Sequence, residues 1–343
     1  MCHGHRLFPL VLLAGCGTSP ALVPPAAINA TDAQDEEHAA VIAKLKSLGV
    51  EWVSPNRVDI GYGGRRGRLE PTHFGDDDLM ILNDLPGLEE LSICGGQVTD
   101  QGMSTIAGFS ELRSLSLFDV PITDTGVVHI VNLRRLKRLM LVESHISDAG
   151  VAHLTELSDL KELSLVGADM TDAGSLSLKL FNRLQFLSLS GTKLTDVGLA
   201  NLRDLTELTH LRLAGTEITD AGLTHLEGMT KLETLSISDT QVTSDGLTHL
   251  RSLSALNRLE MAGIELTQDG AKHLNQVHNL RNLELVTFPY SGNVSPVTLA
   301  SLATLEMLTS IDMPNSNGYT PGQLQALKRA LPGTDIMAGY VHD

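Results

Sequence analysis

Two rows of potentially reactive side chains run through this 343-residue sequence at one fixed interval. Asp100, Asp124, Asp148, Asp172, Asp196 and Asp220 stand 24 residues apart, an arrangement that invites calcium. In the next two units the acid moves one place, to Asp245 and Asp269. A coordination shell with oxygens at about 2.4 Å does not accept that slip, whereas the first turn of a helix does. The row therefore reads as helix capping. A second row holds His129, His153, His225, His249 and His273, whose imidazoles would lie about 5 Å apart in stacked units. Ser177 and Asn201 interrupt it, and no Cys or carboxylate shares its column, so it reads as a half-buried helix position. Serines are abundant but recur as Ser92, Ser116, Ser164, Ser188 and Ser236, with none in a nucleophile elbow. Neither a metal, nor a cofactor, nor a catalytic group is assigned, and the chain reads as a non-enzyme.

The elements that carry these rows are themselves repeated. Units begin at Thr99, Thr123, Ser147, Thr171, Thr195, Thr219, Thr243 and Thr267, with nothing inserted or deleted between them. In the unit starting at Thr219, Leu223, Leu226, Met229 and Leu232 have the spacing of a short helix and its exit. Leu235 and Ile237 then alternate with Thr234, Ser236 and Ser238, the period of a strand with one buried face. Thr219 is placed to cap the helix, Asp220 lies in its first turn, and Gly222 points to a close packing contact. No single unit can bury its apolar stripe, so neighbours must stack.

The run Leu232-Glu233-Thr234-Leu235-Ser236-Ile237 is the LxxLxL pattern, and over roughly residues 75–338 the chain resembles the 24-residue, ribonuclease-inhibitor-like class of leucine-rich-repeat proteins, with units of the LTDAGL type. The resemblance implies a right-handed α/β solenoid, with a parallel sheet on the concave side and short helices on the convex side. A degenerate first unit starts at Gly75 and keeps Leu79, Leu82, Leu85, Leu88, Leu91 and Ile93. Before it, Val41, Ile42, Leu45 and Leu48 mark a helix ended by Gly49, and Val58 and Ile60 a lead-in strand. The register breaks once, by four residues, after Val286. A last unit from Thr320-Pro321-Gly322 to Pro332-Gly333 closes the array.

The N-terminus reads differently. A short apolar segment, Leu7–Leu13, leads to Leu13-Ala14-Gly15-Cys16, which matches the bacterial lipobox at all four positions. That resemblance implies cleavage before Cys16, its lipidation, and anchorage in the cell envelope. The expected organisation is thus a signal peptide at 1–15, a tether at 16–36, an N-terminal cap at 37–74, repeats at 75–318, and a C-terminal cap and tail at 319–343. The stretch Gly61–Arg68, glycine-rich and basic, lacks the ending of a phosphate-binding loop and reads as a turn in the cap. A net charge of −16 disfavours nucleic acid as a partner.

Partner information should sit where strand positions vary from unit to unit. Phe118, Met140, Val142, Val166 and Phe186 form an apolar group over adjacent strands, on a face otherwise rich in serine. Arg212 follows, and Glu260, Glu284 and Asp312 form an acidic run beside an inserted loop carrying Phe288 and Tyr290. Apolar area with charged neighbours is the anatomy of a protein-recognition face, so these nine residues are the expected site for a protein or peptide ligand. Two rival readings are a structural or adhesive protein binding polysaccharide or cell wall, and a substrate receptor similar to F-box leucine-rich-repeat proteins. The second lacks room for the helical F-box between signal and repeats.

Overall fold

A computed structural model describes residues 33–48, 50, 52–54, 56–61, 73–85, 87–285, 296–313 and 320–338. The signal segment, Cys16, most of the glycine-rich stretch, and the loop with Phe288 and Tyr290 lie outside the described residues. Helix α1 (Ala33–Ser47) leads into strands β1 (Trp52–Ser54) and β2 (Arg57–Ile60), which pair antiparallel. The helix begins within the stretch assigned to the tether, because Ala33–Ser47 continues one helical run into Val41 and Leu45, both buried against the first unit.

From β2 onward every strand pairs with the next in parallel. The order is β3 (Glu90–Cys94), β4 (Ser114–Phe118), β5 (Arg138–Val142), β6 (Glu162–Ser164), β7 (Phe186–Ser188) and β8 (His210–Arg212). It continues through β9 (Thr234–Ser236), β10 (Arg258–Glu260), β11 (Asn282–Glu284), β12 (Ser310–Met313) and β13 (Asp335–Ala338). Among the described residues the result is one thirteen-stranded sheet in strict chain order. The last strand, β13, has no counterpart in the sequence reading, since its four residues carry no alternation long enough to register.

Opposite the sheet run short helices: α2 (Asp100–Ile106), α3 (Asp124–Ile130), α4 (Asp148–Leu154), α5 (Asp172–Leu178), α6 (Asp196–Ala200) and α7 (Asp220–Leu223). α8 (Gln268–Leu274), α9 (Pro296–Leu302) and α10 (Pro321–Ala330) complete the row, while Asp78–Asp84, Thr224–Leu226 and Gly246–Ser252 are 3-10 turns. Between the two layers the leucine columns are fully enclosed: Leu187, Leu211, Leu235 and Leu259 are all buried on neighbouring strands. Each such side chain contributes about 1.5–3 kcal/mol of transfer free energy before ordering entropy is subtracted. Among the described residues no helix is long and apolar enough to cross a membrane.

The seam between units explains the Thr-Asp-x-Gly motif. Thr219 caps its own helix, its hydroxyl accepting from the Ala221 N–H. Asp196, one unit earlier, accepts from the Thr219 N–H at 2.8 Å and from the Thr219 hydroxyl at 2.6 Å. A Cβ on Gly222 would collide with that same Asp196 carboxylate. The three residue types are therefore one device: Thr caps, Asp clamps the following unit, and Gly leaves space for the preceding Asp. The same clamp joins Asp76 to Thr99, Asp100 to Thr123, Asp124 to Ser147, Asp148 to Thr171, Asp172 to Thr195 and Asp220 to Thr243. The Asp row keeps the first-turn place expected of it, from Asp100 to Asp220, and these carboxylates also reach a partner 23 residues onward. At the next seam Ser244 replaces Asp, and its hydroxyl accepts from the Thr267 N–H at 2.9 Å.

Candidate functional site

The concave face is built from the three positions of each strand that point away from the leucine core. On β4 the pattern is alternating, with Leu115 and Leu117 buried and Ser114, Ser116 and Phe118 partly exposed. The face as a whole is less open than the serine columns implied. Ser164, Ser188 and Ser236 are buried, at 2, 0 and 3% exposure, rather than solvent-facing. Side chains on the inside of an arc converge, and long neighbours such as Arg212 and Glu260 share the space above these small residues.

The apolar group divides for the same reason. Met140, Val142 and Val166 retain only 5, 8 and 3% exposure, which corrects their reading as open contact surface. Phe118 and Phe186 are the two members that keep exposed area. Just beyond Phe118 and Val142 the chain turns out of the strand through Asp119 (φ 52°) and Glu143 (φ 54°). In other units this left-handed position is Gly95, Gly167, Gly191, Gly215 or Gly263. Holding a non-glycine residue there costs about 1–2 kcal/mol. Burial, followed by the charge of Asp119, raises the Glu143 carboxyl above its ordinary range. The strained pair escaped sequence reasoning, although the glycine column and its exceptions Asp119, Glu143 and Asp239 are a readable signal.

A second group centres on β8 to β12. The parallel register sets Glu260 beside Glu284 and Glu284 beside Asp312. Arg258, two residues earlier on β10, lies between them, donating from Nε to Glu260 at 3.1 Å and from Nη2 to Glu284. The acidic run therefore contains its own guanidinium, which column-wise reading missed because Arg258 stands in the neighbouring column. Burial raises the Glu284 carboxyl to about 7, the charges of Glu260 and Asp312 push the same way, and Arg258 and Arg212 oppose them. Asp312 is also raised, by burial first and by Asp335, against the pull of Arg258.

Between the two groups sits Arg212, whose side chain is only 6% exposed. Its guanidinium carbon lies 5.9 Å from the Phe186 ring centroid, and Nη2 is 3.8 Å from Glu260 Oε1. His210, 6.2 Å from Phe186 between ring centroids, has its pKa lowered chiefly by burial and faces Thr209 Oγ1 through Nδ1 at 2.9 Å. The structure thus brings Phe186, Arg212 and Glu260 into one contact chain and Glu284 and Asp312 beside it, while Phe118 stands three strands away from Phe186.

Elsewhere the reactive groups are quiet. Cys94 is fully buried, and burial with the charge of Asp119 pushes its thiol up to about 12. In the histidine row His129 and His153 are exposed, whereas His225, His249 and His273 are half-buried. His249 Nδ1 lies 3.3 Å from Glu227. Among the described residues no three His, Cys, Asp or Glu side chains gather as a metal site.

The leucine-rich-repeat family matches residues 205–226 and 228–250. No curated protein matches the chain. Among solved structures, an internalin (InlF) of Listeria monocytogenes aligns over 90% of this chain and 95% of its own at 20% identity, with a TM-score of 0.53. Internalin C2 of the same organism aligns over 68% of this chain and 83% of its own at 22% identity and a TM-score of 0.41. A leucine-rich-repeat protein of Leptospira interrogans covers 75% of this chain and 79% of its own at 17% identity and a TM-score of 0.44. The in-register parallel sheet, the helices behind it and the repeat match together make this chain a leucine-rich-repeat solenoid.

Proposed function

We propose that this protein is a non-catalytic scaffold that binds a protein or peptide partner on its concave face, while a lipidated Cys16 holds it in a bacterial cell envelope. One observation carries the reading. The seam positions repeat almost unchanged, whereas the concave face departs from serine where Phe118 and Phe186 keep exposed area and where Arg212, Arg258, Glu260 and Glu284 meet. Aromatic anchors beside arginine and carboxylates are the composition that concentrates binding free energy at protein interfaces. The membrane attachment rests on Leu13-Ala14-Gly15-Cys16 alone.

Affinity capture from the native envelope tests the face. Changing Phe118 and Phe186 together to Ser is expected to abolish partner capture while moving the thermal midpoint by no more than a few degrees. A large drop in stability would instead place both rings in the core and remove them from the site. For the anchor, Cys16→Ala is expected to release the protein from the membrane fraction.

A further inference from the structure

Among the described residues, two polar groups on the concave face are buried without a hydrogen-bond partner, Arg212 Nε and Ser188 Oγ. They are neighbours, because Ser188 on β7 and Arg212 on β8 are register partners. A buried donor left open costs about 1–3 kcal/mol, so two side by side mark a place that an acceptor would complete. The nearest carboxylate does not fill the role. Glu260 Oε1 lies 3.8 Å from Arg212 Nη2, beyond hydrogen-bond range, and it already accepts from Arg258 Nε at 3.1 Å.

We propose that Arg212 and Ser188 form a carboxylate-binding site on the concave face. The proposal rests on the reading of that face as a protein-recognition surface and names the partner chemistry it selects. A guanidinium presents Nε and one Nη along a single edge, and a carboxylate meets that edge with two parallel hydrogen bonds. The hydroxyl of Ser188 supplies a third donor from the adjacent strand. The Phe186 ring, beside the guanidinium, forms an apolar wall for the methylene stem of an acidic side chain. The low dielectric of a side chain only 6% exposed strengthens each of these bonds relative to water.

The test uses the full chain and three pentapeptides. The first is acetylated and amidated with a central Glu as its single carboxylate, the second replaces Glu by Gln, and the third is the Gln peptide with a free C-terminus. The readouts are the dissociation constant and the NMR resonance of the Arg212 Nε–H. The Glu peptide is expected to saturate and shift that resonance, with at least tenfold tighter binding than the amidated Gln peptide. Arg212→Lys keeps the charge but loses the side-on pair, and is expected to bind the Glu peptide at least tenfold more weakly. Ser188→Ala provides a gentler variant if Arg212→Lys fails to fold, with an expected loss of about threefold to tenfold. Binding of the free-C-terminus peptide alone would assign the site to a chain end rather than an acidic side chain. Equal binding of Glu and both Gln peptides, or unchanged affinity in Arg212→Lys and Ser188→Ala, would overturn the proposal. Retained partner capture by the Phe118/Phe186 variant would count against the recognition face instead, and is read separately.

Discussion

The seams between units and the concave face use the same kinds of polar side chain to opposite ends. At a seam the Asp carboxylate has a designated backbone N–H and hydroxyl, and the space it occupies is reserved by a glycine in the unit it joins. On the face, Arg212 and Ser188 are enclosed yet keep donors without acceptors, and Glu284 is crowded by two other carboxylates. Satisfied polar groups specify geometry, whereas unsatisfied ones store the capacity to bind something else. The contrast predicts that seam changes are felt in stability, and face changes in binding and in pH response.

The largest effect should come from the seam. Gly198→Ala would push a methyl group into the Asp172 carboxylate and into the Leu194 side chain. The expected loss is about 2–3 kcal/mol by chemical denaturation, combining overpacking with disturbed hydrogen bonds. Combined with Asp172→Ala, the total should be smaller than the sum of the single losses, because both act on one carboxylate. Additive losses would break the idea of a single device.

A pH titration sharpens the other half of the contrast. The folded Glu284 carboxyl keeps its proton up to about pH 7, against an ordinary value of 4.5. Between those values the folded chain binds more protons than the unfolded one, so stability falls as pH rises from about 4.5 to about 7 and is flat beyond. Glu284→Gln is expected to flatten that limb in part, leaving the contributions of Asp312, Glu143 and Asp239, which have the same sign. Unfolding midpoints measured across this range read the effect. A limb unchanged in Glu284→Gln would place the titration elsewhere.

The smallest effect concerns the rim beside Phe118. Glu143→Gly should stabilise the fold by about 0.5–1 kcal/mol, since the φ of 54° suits glycine. If it destabilises instead, the Glu143 side chain has a structural task that outweighs its backbone strain.

What the sequence made legible was whatever is local or strictly periodic. Thr219 as a cap, Gly222 as a contact and Leu235 as core follow from neighbours within a few residues, and the parallel register follows from the fixed interval. The partner of Asp196 was not legible, since it sits one unit onward at Thr219 and no local rule points there. Burial of Met140, Val166 and Ser188 depends on the curvature of the sheet, which periodicity does not contain. Arg258 stands in a different column from Glu260 and Glu284, and only the reach of its side chain joins them. The acidic run thus carries a second guanidinium besides Arg212.

The carboxylate clamps also divide the array into two stretches. Every seam from Asp76–Thr99 to Asp220–Thr243 is fastened at two points by a charged acceptor, which fixes the pitch of that stretch as in a braced beam. At Ser244–Thr267 the brace is a neutral hydroxyl, and at the following position Gln268 stands where the Asp would be. Glu260, Glu284 and Asp312 all sit on strands beyond the last carboxylate brace. The charged end of the concave face is thus carried by the units beyond the last carboxylate brace.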